Sequence, residues 1–137
     1  MTSSEEFKKF KLIILKELQS FSQFIYLMGS VGTERFTDKS DIDIAVYWIQ
    51  KPDLDQVMKL QSNLENETGR DVQLIGLNKI DVIYARQVIE TGRLLFLDEN
   101  QKGQHLLWRA QKFSEYPDFK YSRKIIEDQI LKRKKYV

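Results

Sequence analysis

The sequence predicts an α/β fold built on a small mixed sheet of about four strands that is packed by helices. Short apolar runs typical of strands alternate along the chain with longer segments whose apolar residues recur at helical spacing. Turn and boundary residues fall between these segments, and no repeat or linker separates them. A chain of 137 residues fits one compact domain. We therefore expect residues 1–137 to form a single domain that includes the C-terminal helices from about residue 99.

The first part of the chain predicts a long helix and two strands. Apolar residues recur at helical spacing through residues 5–20, which predicts an amphipathic helix. The apolar run Phe24–Met28, closed by Gly29, predicts the first strand, and we expect a short helix to begin after Gly29-Ser30. The segment Asp41–Trp48 predicts the second strand.

The rest of the chain alternates helices and strands. Asp53 is an expected N-cap and Gly69 an expected stop for the next helix, and residues 71–77 predict the third strand. The remaining predicted elements are a helix capped by Asn78 with Asp81 and ending at Thr91-Gly92, a strand from Arg93, a helix from Glu99 to about Tyr116, and a last helix after Pro117.

Composition excludes several classes of function. The absence of cysteine excludes disulfides, a thiolate zinc site and a cysteine nucleophile. A net charge of +2 is too small to predict nucleic-acid binding, and no apolar run approaches the roughly 20 residues that cross a bilayer. The N-terminus is not typical of a signal peptide. We expect a soluble cytoplasmic protein with no membrane partner and no direct nucleic-acid partner. We expect the basic residues in 131–137 to complement a helix dipole rather than to bind an acidic partner.

Two aspartates at the start of the second strand carry the strongest chemical signal. Side chains alternate along a strand, so Asp41 and Asp43 lie on one face while Ile42 and Ile44 lie on the other. Like charges on one face repel unless a cation lies between them. Oxygen ligands without histidine or cysteine favour Mg²⁺, with Mn²⁺ as an alternative, over zinc. A purely structural role at a strand end would suit one aspartate better than a pair on one face.

A third carboxylate is predicted on the next strand. If Val72 and Leu74 pack on the face that holds Ile42 and Ile44, then Asp71 emerges beside the aspartate pair. Such a carboxylate would share a metal and accept a proton from an attacking hydroxyl. Two other acidic residues compete for this role and are better explained otherwise, Asp81 as a helix start and Asp98 as a strand end.

The Gly29-Ser30 pair follows the first strand, where backbone N–H groups and a hydroxyl can hold a phosphate. Alone the pair is a weak signal, because Gly-Ser after a strand is usually a turn. The longer glycine codes GxxxxGK[ST] and GxGxxG are both absent. The pair gains weight from the aspartates downstream. Arg35 and Lys39 flank it and either steady phosphate charge or are solvated.

Gly29-Ser30, ten intervening residues and Asp41-x-Asp43 resemble the motif of the DNA polymerase β-like nucleotidyltransferases. The small chain is similar to the minimal nucleotidyltransferase (MNT) antitoxins that are paired with HEPN-domain toxins. The resemblance implies a polymerase β-like fold, in which Gly29 and Ser30 contact the nucleotide and Asp41, Asp43 and Asp71 act as catalytic, metal-binding residues. It further implies AMP transfer from ATP to tyrosine of a HEPN ribonuclease, which silences that toxin in a hetero-oligomer.

Two alternative functions remain open at this point. The chain either neutralises its toxin by binding alone, or transfers nucleotide to a small-molecule hydroxyl such as that of an aminoglycoside. Other aromatic and titratable residues are expected to be structural. His105, the single histidine, is interpreted as an ordinary helix residue, and Trp108, Phe113, Tyr116 and Phe119 as packing rather than base-stacking residues.

Overall fold

The computed structural model describes residues 3–31, 33–37 and 39–112. Within these residues the strands are β1 (Ser22–Met28), β2 (Ile42–Trp48), β3 (Val72–Gly76) and β4 (Arg93–Leu97). They form one mixed sheet in the order β3-β2-β1-β4, which confirms the predicted fold class. The helices are α1 (Ser3–Leu18), α2 (Leu54–Thr68) and α3 (Val82–Thr91), with short 3₁₀ turns at Gln19–Phe21 and Glu99–Gln101. Residues 102–112 are also helical.

The strand pairing determines which strand ends lie together at the predicted site. The central strand β1 is antiparallel to both β2 and β4. Strand β3 is parallel to β2, and α2 provides the crossover connection that a parallel pair requires. The end of β1, the start of β2 and the start of β3 therefore lie at one end of the sheet.

Each face of the sheet carries its own hydrophobic core. The residues of β2 alternate as predicted, because its even-numbered residues pack with α1 and α2 while Ala45 and Tyr47 pack with α3 and Trp108. Both aspartates belong by alternation to the α3 face. The helix α3 therefore covers the face on which the predicted site lies.

The predicted boundaries of α2 are confirmed. Asp53 accepts a hydrogen bond from the backbone N–H of Gln56, and Gly69 ends the helix with φ +70°. Asp81 caps α3 by accepting from the N–H of Tyr84. Asn78 was expected to share that cap, but its amide pairs instead with the backbone N–H and carbonyl of Trp48, at 2.8 and 3.0 Å.

The short helix expected after Gly29-Ser30 is wrong for the residues described there. Residues 29–31 and 34–35 form turns, since the N–H of Thr33 donates to the Ser30 carbonyl and that of Phe36 to the Thr33 carbonyl. These bonds span three residues and do not continue as a helical ladder. The predictions for Phe113, Tyr116, Phe119, the last helix and residues 131–137 lie outside the described residues.

The residues of the 102–112 helix that were predicted to be structural are buried. Trp108 packs against Phe24, and His105 shares a hydrogen bond of 2.7 Å between its Nε2 and the hydroxyl of Tyr26. Among the described helices, none has the length and apolarity needed to span a bilayer.

Candidate active site

A cavity of about 990 Å³ lies at the end of the sheet where β1 ends and β2 begins. Its walls come from four places: the end of β1 and the turn after it, the start of β2, strand β3, and helix α3. The lining residues are Met28, Gly29, Ser30, Thr33, Arg35, Asp43, Gln73, Ile75, Tyr84, Gln87 and Thr91. Three of the five residues predicted as site residues, Gly29, Ser30 and Asp43, therefore share one cavity.

The turn after β1 brings the backbone close to Asp43. Met28 and Asp43 are register partners on the antiparallel strands β1 and β2. Gly29 follows with φ +83°, and a Cβ atom placed on it would lie 3.9 Å from Asp43 Oδ2. A residue with a side chain rarely adopts this left-handed conformation, so glycine is required by the turn rather than by lack of space.

The turn is closed by hydrogen bonds at Ser30. Its carbonyl accepts from the backbone N–H of Thr33 at 2.9 Å and from the Thr33 hydroxyl at 2.6 Å. The Thr33 hydroxyl oxygen also accepts from the N–H of Arg35 at 3.3 Å. These bonds hold the turn from which Ser30, Thr33 and Arg35 line the cavity, a suitable place for phosphate oxygens.

Negative charge is concentrated at Asp43. Partial burial, and after it the negative charge of Asp41, raise the pKa of Asp43 above its usual value. Burial and the charge of Asp43 in turn raise the pKa of the Tyr84 phenol. Ionised carboxylates that disfavour each other in this way are stabilised by a cation between them, and their oxygen atoms are the ligands that Mg²⁺ and Mn²⁺ prefer. The donor set therefore fits a divalent magnesium-type ion.

Asp41 and Asp71 do not line this cavity. Asp41 is exposed and acts on Asp43 through its charge. The Asp71 carbonyl accepts from the N–H of Ile42 at 2.9 Å, and Val72 is the register partner of Ile42. Because Val72 packs in the same core as Ile42, alternation places Asp71 on the face of Asp41. Within residues 3–31, 33–37 and 39–112, no three histidine, cysteine, aspartate or glutamate side chains are grouped to hold a metal.

The sequence analysis did not identify five polar residues of the cavity wall, one of which is Thr33 in the turn after β1. Gln73 is the register partner of Asp43 on β3. Tyr84, Gln87 and Thr91 lie on α3 at spacings of three and four residues, so they share one helix face. This periodic polar stripe is the sequence signal that points to them, once α3 is known to pack on the face of Asp43.

The two cations that flank the turn are placed differently. Arg35 is exposed and lines the cavity, whereas Lys39 is exposed and does not line it. The cavity thus combines a backbone turn, one cation and a partly buried carboxylate with neutral polar side chains of α3. Such an arrangement can hold a polyphosphate beside a divalent ion and leave room for a second substrate that carries a hydroxyl.

Comparisons with known proteins agree with this geometry. The sequence model of the family described as polymerase beta, nucleotidyltransferase matches residues 10–101, which span every strand and the whole cavity wall. A search of curated protein sequences gives no significant match.

Solved structures similar to this chain include toxin-antitoxin complexes. A toxin-antitoxin crystal structure with AMP-PNP contains a chain with 27% identity and a TM-score of 0.71, covering 88% of this chain and 98% of that chain. A complex of the tri-AMPylated Shewanella oneidensis HEPN toxin with its MNT antitoxin matches at 26% identity and a TM-score of 0.69, covering 91% and 98%. The MntA-HepT toxin-antitoxin complex matches at 25% identity and a TM-score of 0.68, covering 90% and 98%.

Proposed function

Because the chain belongs to the polymerase β nucleotidyltransferase family, we propose that it is a Mg²⁺-dependent protein adenylyltransferase that acts as an antitoxin. It transfers AMP from ATP to a tyrosine of a cognate HEPN-domain ribonuclease toxin and so neutralises that toxin. The observation that carries this proposal is that Gly29, Ser30 and Asp43 line the same cavity. The ATP requirement fits a cytoplasmic site of action.

Each residue of the proposed site has one role. Gly29 and Ser30 hold the phosphates of ATP through the backbone of the turn after β1. Asp41 and Asp43 hold Mg²⁺, with Mn²⁺ as an alternative, and Asp71 is the third carboxylate. When bound, the ion neutralises charge on the triphosphate. Arg35 lines the same cavity and adds positive charge beside the phosphates.

The transfer is a displacement at the α-phosphorus of ATP. The phenolic oxygen of the acceptor tyrosine forms a bond to this phosphorus, the bond to the oxygen bridging the α- and β-phosphates breaks, and pyrophosphate leaves. The phenolic proton passes to a carboxylate, for which we propose Asp71 because strand alternation puts it on the same face as Asp41 and Asp43. The neutral polar side chains of α3 are placed to contact the incoming acceptor.

The similar structures support this proposal by what they contain. One is a toxin-antitoxin structure with AMP-PNP, a nucleoside triphosphate analogue, and another holds a HEPN toxin that is tri-AMPylated. The match covers 98% of the length of each of these chains, so the likeness extends over nearly the whole chain rather than a shared fragment. By analogy, a HEPN-domain protein is the expected acceptor and partner of this chain.

The test is intact-protein mass spectrometry of the separately purified cognate HEPN-domain protein after incubation with this chain, ATP and Mg²⁺. We expect the partner to gain one or more AMP masses, with none gained when Asp43→Asn replaces the wild type. A complex without any mass gain would overturn the enzyme proposal and favour neutralisation by binding alone. Transfer to an aminoglycoside, with no transfer to the HEPN-domain protein, would overturn the acceptor.

A further inference from the structure

We infer that Arg70 is a positioning residue that fixes the loop leading into Asp41 and Asp43, and this inference rests on the proposed function. Arg70 follows Gly69, the last residue of the α2 cap, and directly precedes Asp71. It does not line the cavity. Its side chain is only 13% exposed and reaches into the loop between Ser30 and Asp41.

The guanidinium group of Arg70 holds the last turn before Asp41. Its Nη1 donates to the carbonyl of Thr37 and, at 3.4 Å, to the carbonyl of Ser40. The turn is also closed internally, since the N–H of Thr37 donates to the Ser40 hydroxyl at 2.9 Å and the N–H of Ser40 to the Thr37 carbonyl at 3.0 Å. Arg70 therefore fixes the backbone position from which the chain enters β2 with Asp41.

The same side chain connects this loop to α1. The Arg70 guanidinium lies over the ring of Phe36, with Cζ 4.1 Å from the ring centroid. The Phe36 ring packs edge-on against Phe10 of α1, with 5.8 Å between centroids. Arg70 Nη2 also lies 3.7 Å from Oε2 of Glu6, another residue of α1. Through these contacts, Arg70 attaches the loop to α1.

Arg70 also links the loop to β3. The next residue, Asp71, accepts a hydrogen bond from the N–H of Ile42, the residue between the two aspartates of β2. Arg70 therefore connects the loop before Asp41 with Asp71, the proposed third carboxylate, which directly precedes β3. A loop that shifts away from Arg70 would move Asp41 relative to Asp43 and Asp71, which would weaken the proposed metal site.

The chemistry of arginine suits this role better than that of lysine. The planar guanidinium stacks on an aromatic ring while its separate N–H groups reach two carbonyls and a carboxylate. An ammonium group is a point charge that cannot do all three at once. We therefore expect Arg70→Lys to recover only part of what Arg70→Gln loses.

The first test is trypsin digestion of the metal-free protein, read by mass spectrometry. Arg35 and Lys39 are exposed trypsin sites within the loop that Arg70 holds. Arg70→Gln should accelerate cleavage after these two residues relative to cleavage elsewhere, with Arg70→Lys intermediate. The control is Lys16→Gln, which removes the 2.9 Å Lys16–Glu67 ion pair between α1 and α2 away from this loop.

The second test is Mn²⁺ binding in the presence of AMP-PNP, measured by electron paramagnetic resonance. Residues that position metal ligands typically change metal affinity 10- to 100-fold when removed, so we expect Arg70→Gln to weaken Mn²⁺ binding about tenfold. Excess metal should restore AMP transfer in this variant, whereas Lys16→Gln should bind and transfer as the wild type does.

The outcomes separate the two proposals. Unchanged cleavage after Arg35 and Lys39, or unchanged Mn²⁺ affinity in both Arg70 variants, would overturn the positioning role. If the wild-type protein binds no Mn²⁺ with AMP-PNP, the proposed function fails instead. If Arg70→Gln does not fold, Arg70→Lys supplies both measurements, and wild-type behaviour of that variant would contradict the requirement for a guanidinium group.

Discussion

Asp43 and Gln73 lie opposite each other on the parallel strands β2 and β3, and both line the cavity. Asp71, the predicted third carboxylate, lies two residues earlier on the β3 side, on the same face but outside the cavity wall. The residue of β3 that pairs with Asp43 therefore carries a neutral amide side chain. Under the proposed function, Gln73 would contact a bound substrate and Asp71, which directly precedes β3, would accept the proton.

The first prediction concerns these two residues. Asp71→Asn should lower the maximal rate of AMP transfer about 10²-fold or more, because general-base catalysis contributes roughly that factor. Gln73→Ala should raise the KM for a substrate while the maximal rate changes less, since it removes a neutral contact. Initial rates at saturating Mg²⁺ measure both effects. Near-normal turnover in Asp71→Asn together with a lost maximal rate in Gln73→Ala would reverse the assignment.

The second prediction is that Asp43→Asn loses transfer and keeps the fold. Metal ions supply several kcal/mol of transition-state stabilisation, so we expect a rate loss of at least about 10²-fold. The metal-free variant should melt at or above the wild-type temperature, because burial and the charge of Asp41 already disfavour the Asp43 carboxylate. Added Mg²⁺ with AMP-PNP should raise the wild-type melting temperature and leave that of the variant unchanged. Equal stabilisation of both proteins would remove Asp43 from the metal site.

The third prediction compares two glycines with positive φ. Gly29→Ala and Gly69→Ala should each cost about 1 kcal/mol of unfolding free energy, because alanine is strained at φ +83° and +70°. Only Gly29→Ala should also weaken ATP binding, since Gly69 lies at the end of α2 outside the cavity. Chemical denaturation and calorimetric titration with AMP-PNP measure the two effects. Equal nucleotide affinity in both variants would exclude Gly29 from the phosphate site.

The fourth prediction concerns the buried pair of Tyr26 and His105. Burial, and after it the positive charge of Arg109, lower the pKa of His105 below its usual value. Below a pH of about 6.5 the unfolded chain therefore binds a proton that the folded protein resists. The free energy of unfolding should therefore fall as the pH drops from about 7 to about 5, the range around the ordinary histidine pKa.

The control for this pH effect is His105→Gln, which retains a hydrogen-bonding side chain beside Tyr26 and does not titrate. Its unfolding free energy should change less over the same pH range, measured by urea denaturation at each pH. A wild-type slope in this variant would assign the pH dependence to other groups.

Tyr26→Phe should lower the free energy of unfolding by about 1 kcal/mol at pH 7, because it leaves a buried ring nitrogen of His105 without its partner.

Local signals in the sequence were sufficient for some elements and not for others. The caps of α2 at Asp53 and Gly69 depend on neighbouring backbone groups, and they were predicted correctly. The alternation of β2 likewise follows from strand geometry alone. Asn78 was misassigned to a cap because its partner, Trp48, lies 30 residues away.

The residues that were missed depend on contacts between distant elements. Gln73 becomes part of the cavity through the register of β3 against β2, and the stripe on α3 through packing of that helix on the sheet. Arg70 is an ordinary polar residue in the sequence, and its connection to the loop before Asp41 exists only in the folded chain. The predicted metal ligands and proton acceptor remain predictions to be tested.

The most direct test of AMP transfer uses ATP labelled on either the α- or the γ-phosphate. The cognate HEPN-domain protein is incubated with this chain, Mg²⁺ and each labelled ATP, and protein-bound label is measured after denaturing electrophoresis. We predict stable label from α-labelled ATP, none from γ-labelled ATP, and none from either with Asp43→Asn. Label from γ-labelled ATP, or equal α-label with Asp43→Asn, would contradict adenylyl transfer at this cavity.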